Sequence, residues 1–197
     1  MSSHAHALEH QAEADSTDVF GFWIYIMTDC ILFSCLFATY VVLHHPGAYG
    51  PGLKQHIELP YVLGETFFLL ASNFTFGLGM LAMQKDNHAM LRFWLVVTFI
   101  LGAGFVGMEL HEFFNLAALG YTPQSSGAAS AFFVLVGTHG FHVSMGLLWM
   151  LVMLVQISVF KMTPAVKRRL TYLGLFWNFL DIVWIFLFTV VYLLGAL

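Results

Sequence analysis

Five apolar runs divide the chain, and each is about as long as a helix that crosses a bilayer. They lie at about 19–43, 59–83, 93–116, 128–160 and 170–194. Such a helix needs about 20 apolar residues to span roughly 30 Å of hydrocarbon. Gly, Pro and charged residues separate the runs, as is typical of turns. The pattern predicts an all-α, polytopic membrane protein, with a bundle of five transmembrane helices over residues 19–197.

The composition agrees with a membrane protein. Only 9% of the 197 residues are charged, whereas 59% are hydrophobic. Soluble domains carry about 25% charged residues, so this chain lacks the polar groups to cover a water-facing surface. Seven Lys and Arg against eleven Asp and Glu also exclude a nucleic-acid-binding protein, which needs a basic patch.

The basic residues predict the orientation in the membrane. Lys85 and Arg92 lie between the second and third runs, and Lys161 and residues 167–169 lie between the fourth and fifth. Lys54 alone lies between the first and second runs, on the opposite side. Since basic loops remain in the cytoplasm, the amino terminus is predicted to be cytoplasmic and the carboxyl terminus periplasmic.

The first 18 residues are polar and acidic and contain no Lys or Arg. They therefore resemble neither a signal peptide nor a transit peptide. His4, His6 and His10 raise the alternative of a metal site, but the segment has no Cys and no fixed geometry. We expect residues 1–18 to form a disordered cytoplasmic tail.

Ionisable residues occur inside every predicted span. A charged side chain at mid-bilayer costs at least about 3 kcal/mol, so such residues usually face a bundle interior or a functional pathway. The simpler alternative is that they only join helices. The candidates for buried polar or lipid-cleft positions are Asp29, Glu65, Glu109, Glu112, His139, His142 and Asp181.

Counting residues inward from the ends of the spans separates these candidates into two groups. Asp29, His139 and Asp181 fall near the midplane, where they could meet. The three glutamates Glu65, Glu109 and Glu112 fall in the outer leaflet.

Helical spacing also predicts which side chains face inward. One stripe on the second span contains Glu65, Leu69, Ser72, Asn73 and Phe76, and one on the fifth contains Trp177, Asn178, Asp181 and Trp184. The two indole N–H groups are placed to help satisfy the Asp181 carboxylate.

The spacing does not fit a redox metal site. A di-iron bundle needs Glu-x-x-His on two helices, but here the third span has Glu109-x-x-Glu112 and the fourth has His139-x-x-His142. His139 and His142 share one helix face, so they cannot ligate a haem from both sides. We therefore expect no metal, cofactor or catalytic residue in this chain.

Small residues in the third and fourth spans have a structural interpretation. Residues 102–107 match the G-x-G-x-x-G pattern, but they lie in an apolar run with no preceding strand, so a dinucleotide site is rejected. Ala103 and Gly107, like Gly140 and Ser144, are small residues four apart that allow close helix contacts.

Several long segments also resemble a known family. They are GFWIYIMTDCILFSCLFATYV at 21–41, LPYVLGETFFLLASNF at 59–74, GAGFVGMELHEF at 102–113, GTHGFHVSMG at 137–146 and FWNFLDIVWIFL at 176–187. The sequence resembles subunit III of the haem–copper respiratory oxidases, and is most similar to the five-span form of bacterial bo-type quinol oxidases.

The resemblance implies an accessory subunit in a bacterial inner membrane, without haem, copper or quinone chemistry of its own. Its expected partners are subunit I, which would carry the haems and copper, subunits II and IV, and phospholipid held in an inter-helix cleft. The complex would oxidise quinol, reduce dioxygen to water and pump protons. The resemblance places Glu65 at the lipid cleft and gives the other candidates structural or polar-network roles.

Two departures from the family pattern are visible. The full-length form has seven spans, and the two amino-terminal ones are missing here. The last span usually reads Trp-His-Phe, whereas this chain has Asn178 at the position of the His. The alternatives are a cytochrome c oxidase subunit III, a nitric oxide reductase accessory protein and, more remotely, a stand-alone proton transporter or a di-iron membrane enzyme.

Overall fold

The five apolar runs form five helices in the computed structural model of the chain, which describes residues 2–43, 59–160 and 162–193. Helix α1 covers Ser2–Leu43, α2 Leu59–Gln84, α3 His88–Ala118, α4 Gly127–Phe160 and α5 Pro164–Leu187, and a π-helical segment at Phe188–Leu193 continues α5. These residues contain no strand, and all five helices are long and apolar enough to cross a membrane. The predicted five-helix, all-α fold is confirmed. Lys54, Lys161 and the last predicted span residue, 194, lie outside the described residues.

Helix α1 begins at Ser2 and so includes the segment that we expected to be a disordered tail. This segment has no Pro or Gly and contains several Ala, Glu and Gln, which are good helix formers. Its apolar part begins at Thr17, close to the predicted start of the first span.

Two other helices begin earlier than their apolar runs because polar residues cap them. The Asn87 side chain accepts a hydrogen bond from the Met90 amide at the start of α3. At the start of α5, the Thr163 hydroxyl accepts one from the Val166 amide, and Pro164 occupies the first turn. These side chains satisfy amides that have no partner inside the helix.

The chain divides into two units, residues Met1–Cys35 and Leu36–Leu197. Within the second unit, α2 packs along α3, and α4 packs against α3 and α5. Helix α5 also packs against α2. The largest fully buried side chains are Trp177, Trp184, Tyr192, Phe76 and Phe105. Large apolar residues such as Phe67 and Phe114 are instead 71% and 74% exposed, as expected for a surface that faces lipid.

Glycines allow the helices of the second unit to approach closely. A Cβ on Gly102 of α3 would lie 2.9 Å from Leu147, and one on Gly146 of α4 would lie 2.9 Å from the Trp177 ring. The same Trp177 ring lies 3.0 Å from the Gly102 position, so it fills the space between α3 and α4. These contacts show why bulkier residues do not fit here.

The predicted small-residue pairs have different outcomes. A Cβ on Gly140 would lie 2.6 Å from a carboxylate oxygen of Glu109, so Gly140 is a close-approach position. Ala103 and Gly107 face away from the other described helices, and a Cβ on Gly107 would meet nothing within 4 Å. The prediction that this second pair joins helices within the bundle is wrong, because Gly102 holds that position on α3.

The substitution Gly146→Ala is expected to destabilise the bundle, because the new methyl group forces the Trp177 ring to move. We expect a loss of about 1–3 kcal/mol in the free energy of unfolding. Gly77→Ala is the matched control, since a Cβ there meets nothing within 4 Å. The check is thermal or chemical unfolding of both variants in the same detergent. Equal stability of the two variants would show that Gly146 is not needed for packing.

An ion pair joins two of the loops. Lys167 Nζ donates to Asp86 Oδ1 at 2.6 Å, which connects the turn between α2 and α3 to the start of α5. Asp86 has a φ of 52°, in the left-handed region that Asp tolerates better than most residues. The hydrogen bond and the positive charge of Lys167 lower the pKa of Asp86 below its ordinary value.

Removing this partner should raise the pKa of Asp86 towards its ordinary value. We expect that increase in Lys167→Met, measured by a pH titration of the Asp86 carboxyl carbon shift. Because the folded-state pKa is lowered, the pair stabilises the fold above the unfolded-state pKa, and this contribution disappears as the pH falls through the folded-state pKa. Arg169→Met, which removes a side chain bonded to Gln156, should leave the Asp86 titration unchanged.

Candidate functional site

Buried polar side chains line the contact between α2 and α5. The Trp177 indole N–H donates to the Ser72 hydroxyl at 3.2 Å, and the Trp184 indole N–H donates to the Thr66 hydroxyl at 3.1 Å. Between these two contacts, Asn73 Nδ2 donates to Asp181 Oδ2 at 3.0 Å. We call these three hydrogen bonds the α2–α5 ladder.

The ladder agrees with the predicted inward stripes in part. Ser72, Trp177 and Trp184 are buried, as predicted. Asn178 is wrong in that stripe, because it is exposed and its side chain donates to the Gly174 carbonyl on its own helix. The indole groups also do not bond to Asp181, because the α2 hydroxyls are their acceptors.

A second contact joins α2 to α3. The Thr75 and Thr98 hydroxyls lie 2.9 Å apart and are both buried. Each hydroxyl also lies within hydrogen-bonding distance of a backbone carbonyl of its own helix. This Thr pair was not predicted, because Thr is common on apolar helix surfaces and the spacing of one residue per helix gives no pattern.

The three glutamates of the outer group lie together. Glu65, Glu109 and Glu112 are within electrostatic range of one another, so their predicted grouping agrees with the structure. Glu65 is 0% exposed, and neither of its carboxyl oxygens has a hydrogen-bond partner among the described residues. A lipid could reach this carboxyl only by separating α2 from its neighbours.

A tyrosine from the π-helical segment closes this carboxyl cluster. The Tyr192 hydroxyl donates to Glu112 Oε2 at 2.9 Å, and Tyr192 is fully buried. Tyr61 anchors the start of α2 by donating to the Met108 carbonyl of α3 at 3.1 Å. Tyr192 lies 11 residues after Asp181, so extending the inward stripe of the fifth span by three helical turns would have identified it.

Glu109 lies between α3 and α4. It is only 2% exposed, and its Oε1 has no hydrogen-bond partner in the part of the chain that the structure describes. Its carboxyl group lies against Gly140 and lines a cavity of about 200 Å³ that opens between the two helices. A buried carboxyl without a partner is costly, so this position is the least satisfied part of the cluster.

The two histidines of α4 have different surroundings. His139 is fully buried, and its ring stacks on Trp184 with the centroids 5.2 Å apart. Phe105 packs edge-on against the same ring, at 6.0 Å. His142 Nδ1 lies 2.7 Å from the Thr138 carbonyl one turn earlier. Both rings are therefore held by contacts within the bundle.

The predicted midplane group is divided between different contacts. The hydrogen bond of Asp181 is to Asn73, whereas the ring contacts of His139 are to Trp184 and Phe105. Asp29 belongs to the first unit, where Tyr25, one turn earlier, interacts with its carboxyl group. Among the described residues, no group of three or more His, Cys, Asp and Glu is placed to hold a metal ion.

Together these features define a class: a polytopic helical membrane protein whose spans are joined by buried polar contacts. Within that class, the chain belongs to the family of cytochrome c oxidase subunit III, whose model matches residues 3–196. The resemblance inferred from the sequence motifs is thereby confirmed.

Individual relatives agree with this family. The chain is 54% identical to the cytochrome bo(3) ubiquinol oxidase subunit 3 of Pseudomonas aeruginosa, over 98% of this chain and 92% of the relative. It is 45% identical to the protein of that name from Buchnera aphidicola, over 91% and 93%. It is also 39% identical to the probable quinol oxidase subunit 3 of Staphylococcus haemolyticus, over 99% and 98%. The chain is a multi-pass protein of the bacterial inner membrane and a subunit of an oxidase complex.

The bond between Asn73 and Asp181 can be tested with a double-mutant cycle. We expect Asn73→Ala and Asp181→Ala to be coupled by about 0.5–2 kcal/mol, the range measured for hydrogen bonds between transmembrane helices. The check is the free energy of unfolding of the two single variants and the double variant. Asn178→Ala with Asp181→Ala is the control cycle, since Asn178 bonds to its own helix, and it should show no coupling. Equal coupling in the two cycles would contradict the ladder.

Proposed function

We propose that this chain is the accessory subunit III of a proton-pumping quinol oxidase, in which it stabilises the subunit that carries the haems and copper. The observation that supports this most strongly is the 54% identity to a ubiquinol oxidase subunit 3 over 98% of the chain. The family description names cytochrome c oxidase, so cytochrome c is the second candidate electron donor.

The buried side chains support a structural rather than a catalytic function. A haem needs an open axial position at a ligand, but His139 is enclosed by Trp184 and Phe105, and His142 is bonded to its own helix. These residues do not fit a haem site. The glutamates and the α2–α5 ladder instead join helices, which suits a subunit that supports another one.

The proposed orientation places the amino terminus in the cytoplasm. The ion pair between Asp86 and Lys167 brings the two basic loops to the same end of the second unit. Lys85, Arg92 and residues 167–169 therefore all lie at one end. The positive-inside rule assigns that end to the cytoplasm.

Lipid is the other proposed partner. An apolar groove of about 250 Å³ lies between the end of α1, from Leu36, and the start of α4. It is lined by Leu36, Leu43, Ala131 and Val134, with the Thr39 and Ser130 side chains at its wall. An acyl chain suits this groove better than it suits the enclosed carboxyl of Glu65, to which the family resemblance pointed.

The proposed function can be tested on the complex purified from native membranes through an affinity tag on this chain. We expect the complex to show haem in a redox spectrum and to consume dioxygen with a quinol as the electron donor. The same preparation should show little turnover with reduced cytochrome c. Turnover with cytochrome c alone would replace quinol as the donor.

The absence of metal chemistry in the chain needs a separate measurement. The chain is dissociated from the purified complex in a stronger detergent, and its iron and copper are quantified. We expect less than stoichiometric amounts of both metals. One or two tightly bound iron atoms per chain would contradict an accessory function and favour a di-iron enzyme.

A further inference from the structure

The outward face of α3 has small residues at its centre. The exposed residues Ile100, Ala103, Gly107 and Leu110 follow one another at helical spacing along this face. Large residues at both ends flank Ala103 and Gly107, and a Cβ on Gly107 would meet nothing within 4 Å. The face therefore has a shallow depression that the other described helices do not fill.

The cavity that contains the Glu109 carboxyl borders this face. Leu110 belongs to both, because it is exposed on the face and also lines the cavity with Val106 and Phe141. Glu109 is 98% buried by its 2% exposure, and its Oε1 has no hydrogen-bond partner among the described residues. A ligand that covers the depression would also close the cavity and reach this oxygen.

The depth of the face favours a protein helix over lipid as its occupant. Ala103 is the midpoint of His88–Ala118, where only hydrocarbon tails surround a membrane protein. Tails carry no hydrogen-bond donor, and they gain nothing from a depression formed by small residues. A second helix gains close backbone contact from the same two residues, and its polar side chains can bond across the interface.

We propose that a transmembrane helix of another oxidase subunit docks along Ala103 and Gly107, and that it places a hydroxyl, amide or indole donor in the cavity against Glu109. This inference rests on the proposed function, because it takes the occupant from the same complex. The donor satisfies the free Glu109 oxygen, and the depression sets the distance between the two helices.

The first test compares Gly107→Leu with the matched control Gly77→Leu in the tagged complex. Both glycines are exposed, and a Cβ at either position meets nothing within 4 Å, so both leucines fit the isolated chain. We expect Gly107→Leu to lower the ratio of other oxidase subunits to this chain by about tenfold or more, because the leucine keeps the docked helix away. Gly77→Leu should leave that ratio unchanged. Full retention of the subunits by Gly107→Leu would overturn the proposal.

The carboxyl is tested by comparing Glu109→Gln with Glu109→Leu. Gln keeps an acceptor oxygen for the donor on the docked helix, so we expect it to retain the other subunits nearly as well as Glu. Leu removes the acceptor and should release them, as Gly107→Leu does. Equal retention by both variants would remove Glu109 from the interface.

A photo-crosslink identifies what covers the face. Benzoylphenylalanine in place of Ile100 should form an adduct with one identified oxidase subunit when the intact complex is irradiated. Adducts only with lipid, with a second copy of this chain or within the chain itself would overturn the proposal. If the wild-type chain co-purifies with no oxidase subunit, the proposed function fails. If the wild-type complex is intact and these variants retain it, only the docking inference fails.

Discussion

In hydrocarbon a polar side chain has no water to bond, so an unsatisfied group costs several kcal/mol unless a neighbouring helix supplies a partner. In the second unit this constraint is met chiefly at the contact of α2 with α5. Two indole N–H groups and one carboxylate of α5 meet two hydroxyls and one amide of α2. A shift of one helix by a single residue would misalign all three bonds together. The hydrogen bonds therefore select one register, even though each is weak by itself.

Trp177 connects that register to the rest of the bundle. Its N–H bonds to Ser72 on α2, while its ring lies in the space left by Gly102 of α3 and Gly146 of α4. One side chain of α5 therefore contacts three other helices, through one polar atom and two close apolar contacts. This arrangement explains why the bundle needs glycines: the ring is large, and it stays in place only where the facing helices have no side chains.

The sequence predicted the five helices, the buried faces and the grouping of Glu65, Glu109 and Glu112, because all of these follow from apolar length and helical period. Hydrogen-bond partners were harder to predict. Trp184 bonds to Thr66 rather than to Asp181, since spacing within one helix does not determine which residue of another helix faces it. Helix starts were also missed where polar caps such as Asn87 extend a helix beyond its apolar run. Ala103 and Gly107 were correctly recognised as a contact pair for helices, but their partner is not in the described part of this chain.

The π-helical segment at Phe188–Leu193 has a consequence for the length of the last span. A π-turn bonds each amide to a carbonyl five residues back, which accommodates one more residue than an α-helix of the same height. Deleting a single residue there would restore ordinary α-helical bonding but rotate everything beyond it by about 100°. Tyr192 would then turn away from Glu112. The wide turn thus acts as a one-residue insertion that directs the tyrosine inward, and the chain's length at this point is as specific as its side chains.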